Sequence, residues 1–106
     1  MPKPDGCHLL LLDNKNQFLG HRVISSGGLS ETTVDIRLIL RHALLGTAPN
    51  IIIAHNHPSG DPRPSRQDDE LTSSLRQACR SVSIRLLDHI IIGDNGYFSY
   101  ADEGKI

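Results

Sequence analysis

Asn50-Ile51-Ile52-Ile53-Ala54-His55-Asn56-His57-Pro58 opens on a run of β-branched residues and closes on a proline. A short isoleucine run without polar alternation suits a strand covered on both faces, so Asn50 to Ala54 is expected as a central strand of a sheet. Downstream, Pro58, Gly60, Pro62 and Pro64 forbid both helix and ladder, and Asn56 to Pro64 is expected as an ordered loop. A second helix begins at Ser65. Its buried stripe is expected along Leu71, Leu75, Ala78, Cys79 and Val82, with arginine and glutamine on the other faces.

Upstream, His8 to Leu12 and Gln17 to Ser25 flank the turn formers Asp13, Asn14, Lys15 and Asn16, which reads as a β-hairpin. Gly27 and Gly28 end it. Ser30 or Thr32 is expected to cap a helix over Val34 to Leu45, and Gly46 to take the left-handed conformation that stops it before Pro49. The last third, Ile84 to Ile92, Gly93-Asp94-Asn95-Gly96 and Tyr97 to Tyr100, reads as another hairpin. Hairpin, helix, strand, helix, hairpin describes an α/β fold, a mixed sheet with helices in a two-layer or three-layer sandwich.

The chain has 106 residues, the size of one domain, and its 38% apolar and 22% charged content belongs to a globular protein. A net charge of -1 lacks the basic excess of a dedicated nucleic-acid binder. The two cysteines, Cys7 and Cys79, form no C-x-x-C unit and are expected as small buried hydrophobes. With no apolar run of membrane-spanning length and no signal-peptide pattern at Met1 to Gly6, a cytoplasmic, membrane-free setting is expected.

Alternate strand residues share a face, so His55 and His57 can present both imidazoles to one point. Taken alone, the pair reads as polar loop residues more readily than as ligands, and Ser65 with Asp68 as a plain S-x-x-D helix cap. Jointly they place two imidazoles, a stiff reversing loop and a carboxylate in the first helical turn at one end of a central strand, where open α/β sheets hold ligands. That donor set suits zinc and leaves a fourth position for water.

The stretch His55-Asn56-His57-Pro58-Ser59-Gly60-Asp61-Pro62 with Ser65 and Asp68 has the H-x-H, seven residues, S-x-x-D pattern of JAMM metalloproteins and resembles the RadC family in wording. Further likeness runs from Leu9-Leu10-Leu11-Leu12-Asp13 through Arg37 to Leu87-Asp88-His89 and Ile92-Gly93-Asp94. The resemblance implies a cytidine deaminase-like JAB/MPN sandwich over residues 1–106, without the helix-hairpin-helix region that precedes it in the family. It also implies Zn2+ on His55, His57 and Asp68, with Ser65 holding bound water or an oxyanion. The implied activity is hydrolysis of a peptide or isopeptide-like amide in a peptide or protein substrate. The family's upstream glutamate, the proton acceptor, aligns here with Asp5, one methylene shorter.

The remaining candidates are weaker. Glu31 suits the approach to the first helix, and Glu70 a solvated helix face. His89, beside Asp88 in an apolar strand, reads as a buried supporting histidine before a fourth ligand. His8, His21 and His42 lack partners at ligand spacing, and Arg63 and Arg66 read as solvated before they read as an anion site. The alternative function is a non-catalytic metal-binding module associated with DNA repair, DNA being its partner. The sequence argues against a third reading, a zinc nucleobase deaminase, because its H-x-E and P-C-x-x-C are both missing.

Overall fold

The computed structural model describes residues 6–25 and 34–106. In chain order the elements are β1 (Cys7–Leu12), β2 (Phe18–Ser25), α1 (Ile36–Leu45), β3 (Asn50–Asn56), α2 (Arg66–Ser81), β4 (Arg85–Ile92) and β5 (Tyr97–Ser99). They form one five-stranded mixed sheet in the order β2-β1-β3-β4-β5. The isoleucine strand is thus its middle member, antiparallel to β1 and parallel to β4. Both expected hairpins form, β1 with β2 and β4 with β5.

Chain handedness decides where the helices lie. The β2-α1-β3 and β3-α2-β4 connections both step across the sheet in one direction, and right-handed crossovers of that kind place both helices on the same face. Accordingly Ile39 and Ala43 of α1 and Leu75 and Cys79 of α2 join one core with Leu9, Leu11, Ile51 and Ile53. Of the two sandwich arrangements, the described residues form the two-layer one. The isoleucine strand is therefore unequally covered: Ile51 and Ile53 are fully buried, while Ile52 on the opposite face is half-buried.

Local details differ from the expectation in three places. The cap of α1 is Asp35, whose side chain accepts the Arg37 amide at 2.9 Å, so the helix starts at Ile36; Ser30 and Thr32 lie outside the described residues. Gly46 stays right-handed at φ -82°, and Thr47 takes the positive φ of 50°. Space explains Gly46 instead: a Cβ there would stand 2.9 Å from Leu11 Cδ1. On α2 the buried side is Asp68, Thr72, Leu75 and Cys79, while Leu71 and Ala78 are half-buried and Val82 is 39% exposed. The stripe is rotated because its first turns face polar partners on the sheet, which a count of apolar residues cannot register. Among the described residues no helix is long and apolar enough to cross a membrane.

Candidate metal centre

β3 delivers the histidines. Along its buried face Ile51 and Ile53 give way to His55, and His57 follows one residue beyond the strand with 6% of its surface exposed. Its backbone is fixed there: the His57 amide donates to the Ile92 carbonyl at 3.2 Å, and the His57 carbonyl accepts the Gly60 amide at 2.9 Å. Gly60 sits at φ +83°, a conformation that favours glycine, and its carbonyl accepts the Asp94 amide at 2.8 Å. Gly93 passes so close beneath that a Cβ would lie 2.5 Å from the Gly60 carbonyl oxygen and 2.6 Å from Pro62 Cδ. The β4-β5 turn thus buttresses the proline loop.

α2 delivers the carboxylate. Ser65 Oγ accepts the Asp68 amide at 3.1 Å and the Ser65 amide donates to Asp68 Oδ2 at 2.7 Å, a reciprocal capping box that fixes the Asp68 rotamer. Asp68 is 4% exposed. Its two oxygens face different imidazoles, Oδ1 at 3.1 Å from His55 Nε2 and Oδ2 at 2.8 Å from His57 Nε2. Burial alone would raise the Asp68 pKa, but the hydrogen bonds from His55 and from the Ser65 backbone outweigh it and hold the carboxyl well below the usual carboxylate range.

Behind His55 stands a second buried group. His89 of β4, fully buried, has Nε2 3.0 Å from His55 Nδ1 and Nδ1 2.6 Å from Thr72 Oγ1. Its ring lies parallel to that of Tyr100, at 7° and 4.9 Å between centroids. Burial, and then the neighbouring His55, push its pKa down to about 3, so it is neutral at ordinary pH. His55, Asp68 and His89 present ligand-type atoms within 4.8 Å of one another, a grouping that takes His89 in place of His57. The two triads share His55 and Asp68, and what separates them is direction: His57 Nε2 faces the carboxylate, whereas His89 Nε2 faces the far nitrogen of His55.

Residues 2–105 match the family model described as RadC-like JAB domain. The chain belongs to that family. A UPF0758 protein of Porphyromonas gingivalis is 50% identical over 99 residues, which cover 92% of this chain and 44% of the relative. UPF0758 proteins of Coprothermobacter proteolyticus and Methanosarcina acetivorans are 50% and 47% identical, with 92% of this chain and 42% of each relative covered. The chain therefore spans less than half the length of these curated relatives.

A metal is implied for a RadC-like JAB domain, and the donor chemistry fits one. His57 Nδ1 lies 2.8 Å from the Asp61 carbonyl, which only accepts, so Nδ1 carries hydrogen and a neutral ring presents a lone pair at Nε2. A lone pair aimed at an ionised carboxylate is repelled unless positive charge lies between them, in the form of a proton or a metal ion. Ligand atoms at about 2.0–2.2 Å from a tetrahedral zinc stand roughly 3.3–3.6 Å apart. The observed 3.1 and 2.8 Å run to the two different oxygens of Asp68 and are shorter than that, the spacing of hydrogen bonds, so the fit rests on the donor types and their direction.

The other residues singled out in the sequence of this RadC-like domain fall elsewhere. Asp5 and Glu31 lie outside the described residues. Glu70 is exposed and paired with Arg66 at 3.3 Å, and Arg63 is paired with Asp61 at 2.7 Å. His8 stacks on His21 at 4.9 Å, away from the centre, and His42 lies in the last turn of α1. Sequence reasoning missed Thr72. Its only signal is the spacing of four from Asp68, which places both on one side of α2.

Proposed function

We propose that this domain binds one zinc ion through His55 Nε2, His57 Nε2 and the Asp68 carboxylate, and hydrolyses an amide bond in a peptide or protein. The observation that carries this reading is the convergence of two imidazole nitrogens on separate oxygens of one buried carboxylate. His89 is left out of the ligand set because its nearer nitrogen is engaged with His55.

Zinc in such a site supplies a Lewis acid and a bound water with pKa near 7. The chain's own groups do the rest. Asp68 contributes the negative charge that holds the cation, with its rotamer set by the Ser65 amide. The His55 side chain retains 13% exposure, so the centre borders solvent and a substrate can approach it. Ser65 stands at the positive end of α2, where negative charge developing on a substrate carbonyl is stabilised. Asp5 is the residue proposed to accept the proton and pass it to the leaving amine, from a position one methylene shorter in reach than the family glutamate.

The test combines metal analysis with turnover. Purified protein is expected to hold one zinc per chain and, when loaded, to cleave members of a peptide library; Asp68→Asn loses both properties. Asp5→Asn is expected to retain zinc and lose cleavage, and Asp5→Glu to raise the rate. Zinc binding without cleavage of any peptide would reduce the reading to a metal-stabilised module.

A further inference from the structure

Resting on the zinc reading above, we propose that Thr72 and His89 are positioning residues that hold His55 with its hydrogen on Nδ1 and its Nε2 lone pair toward the cation. The case is an accounting of single hydrogens along a closed path. Thr72 Oγ1 lies 2.8 Å from the backbone carbonyl of Asp68 and 2.6 Å from His89 Nδ1. The carbonyl only accepts, so the hydroxyl donates to it and its oxygen accepts from His89 Nδ1–H.

His89 is fully buried, and among the described residues its nitrogens hydrogen-bond a hydroxyl and another imidazole, while the Asp68 carboxylate stands within 4.8 Å without accepting a hydrogen bond from it. A second, charging hydrogen there would place a cation in the core with no carboxylate accepting that hydrogen. Its Nε2 is therefore a lone pair, and His55 Nδ1, 3.0 Å away, must be the donor to it. When the cation replaces the hydrogen that His55 Nε2 shares with Asp68 in the metal-free protein, neutral His55 is left with a lone pair at Nε2, the atom 3.1 Å from Asp68 Oδ1. The path starts at the backbone of Asp68 and returns to its side chain.

The same atoms admit one other polarity. If the Thr72 hydroxyl turned its hydrogen to His89 Nδ1, His89 Nε2–H would donate to His55 Nδ1, and His55 would carry its hydrogen on Nε2, where it blocks the cation. The orientation of one hydroxyl thus selects between a ligand and a blocked site. The parallel Tyr100 ring keeps His89 in plane, so neither polarity is relieved by swinging the imidazole aside.

The experiment measures zinc affinity by competition with a chromophoric chelator, together with imidazole 15N–1H correlation spectra of the zinc-loaded protein. Thr72→Val, which keeps the shape and removes the hydroxyl, is expected to weaken zinc binding about 10–100-fold, and Thr72→Ser to restore it. The wild-type spectrum is expected to show hydrogen on Nδ1 of both His55 and His89, and it decides the matter without any substitution if Thr72→Val does not fold. Coordination through His55 Nδ1, a His89 nitrogen bound to zinc, or wild-type affinity in folded Thr72→Val overturns the relay while leaving the zinc reading intact. Wild-type protein that takes up no zinc overturns the zinc reading itself, and the relay with it.

Discussion

Ser65 and Asp68 exchange two hydrogen bonds, 3.1 Å from the Asp68 amide to Ser65 Oγ and 2.7 Å from the Ser65 amide to Asp68 Oδ2, so the carboxylate that starts a helix is also the one the histidines face. The two duties separate by mutation. Asp68→Asn keeps an acceptor for the Ser65 amide but loses the charge that the fold favours, so it is expected to fold with a lowered melting temperature while its zinc affinity falls at least a hundredfold, by roughly 3 kcal/mol. Chelator competition and thermal melts on the same preparation check this.

Ser65→Ala removes only the hydroxyl half of the box. The loss of a serine cap costs about 1 kcal/mol, which lowers the melting temperature by roughly 4–8 °C in a domain of this size. Calorimetry of the metal-free protein reads this directly, and an unchanged midpoint would show that the Asp68 amide finds another acceptor.

Gly93→Ala drives a methyl group into the Gly60 carbonyl and Pro62. Overpacking of this kind costs about 1–3 kcal/mol, and here the strain falls on the loop that carries His57. Both stability and zinc affinity are expected to drop. Gly96→Ala, a few residues away with nothing within 4 Å of its added Cβ, is the matched control and is expected to change neither.

Acid should unfold the metal-free protein earlier than its composition suggests. His89 has its pKa pushed down from 6.5 to about 3 by burial and by His55, so between those values the unfolded chain takes up a proton that the fold refuses. Stability from this group is fully present above about pH 6.5 and declines as pH falls, at about 1.4 kcal/mol per pH unit. Asp68, held low in the fold, adds a loss in the same direction once pH drops below the ordinary 3.8. Urea midpoints recorded with chelator at pH 7.5, 5.5 and 4 should fall in that order; a flat series would mean that His89 is not kept neutral.

Both thiols are buried, and burial pushes Cys7 up to about 12 and Cys79 up to about 11. Since thiolate is the reactive form, native protein is expected to resist an aromatic disulfide reagent for hours at pH 8 and to release two equivalents within minutes in denaturant.

What was legible in the sequence was local. The isoleucine run with its two histidines, the proline loop and the Ser65-Asp68 pair are neighbours along the chain, and strand alternation and capping rules act over a few residues. Thr72 and the placement of His89 are different in kind. His89 comes beside His55 only because β4 runs parallel to β3 after a crossover, with a register shift between Ile51 and Ile52 that sets Ile53 opposite His89. Hydrophobic periodicity counted α2 as apolar inside and polar outside, and so drew its stripe through Val82 and past Asp68 and Thr72. Gly46 was read for its backbone freedom, whereas the fold uses its lack of a side chain beside Leu11.

The contact of Gly93 and Asp94 with the proline loop sets a minimum size for any portable version of this cage. A synthetic peptide running from His55 to Asp68 would contain all three proposed ligands and none of the scaffolding that aims them, because the underside of the bend is supplied by the closing hairpin. Grafting onto another protein would have to carry that hairpin along.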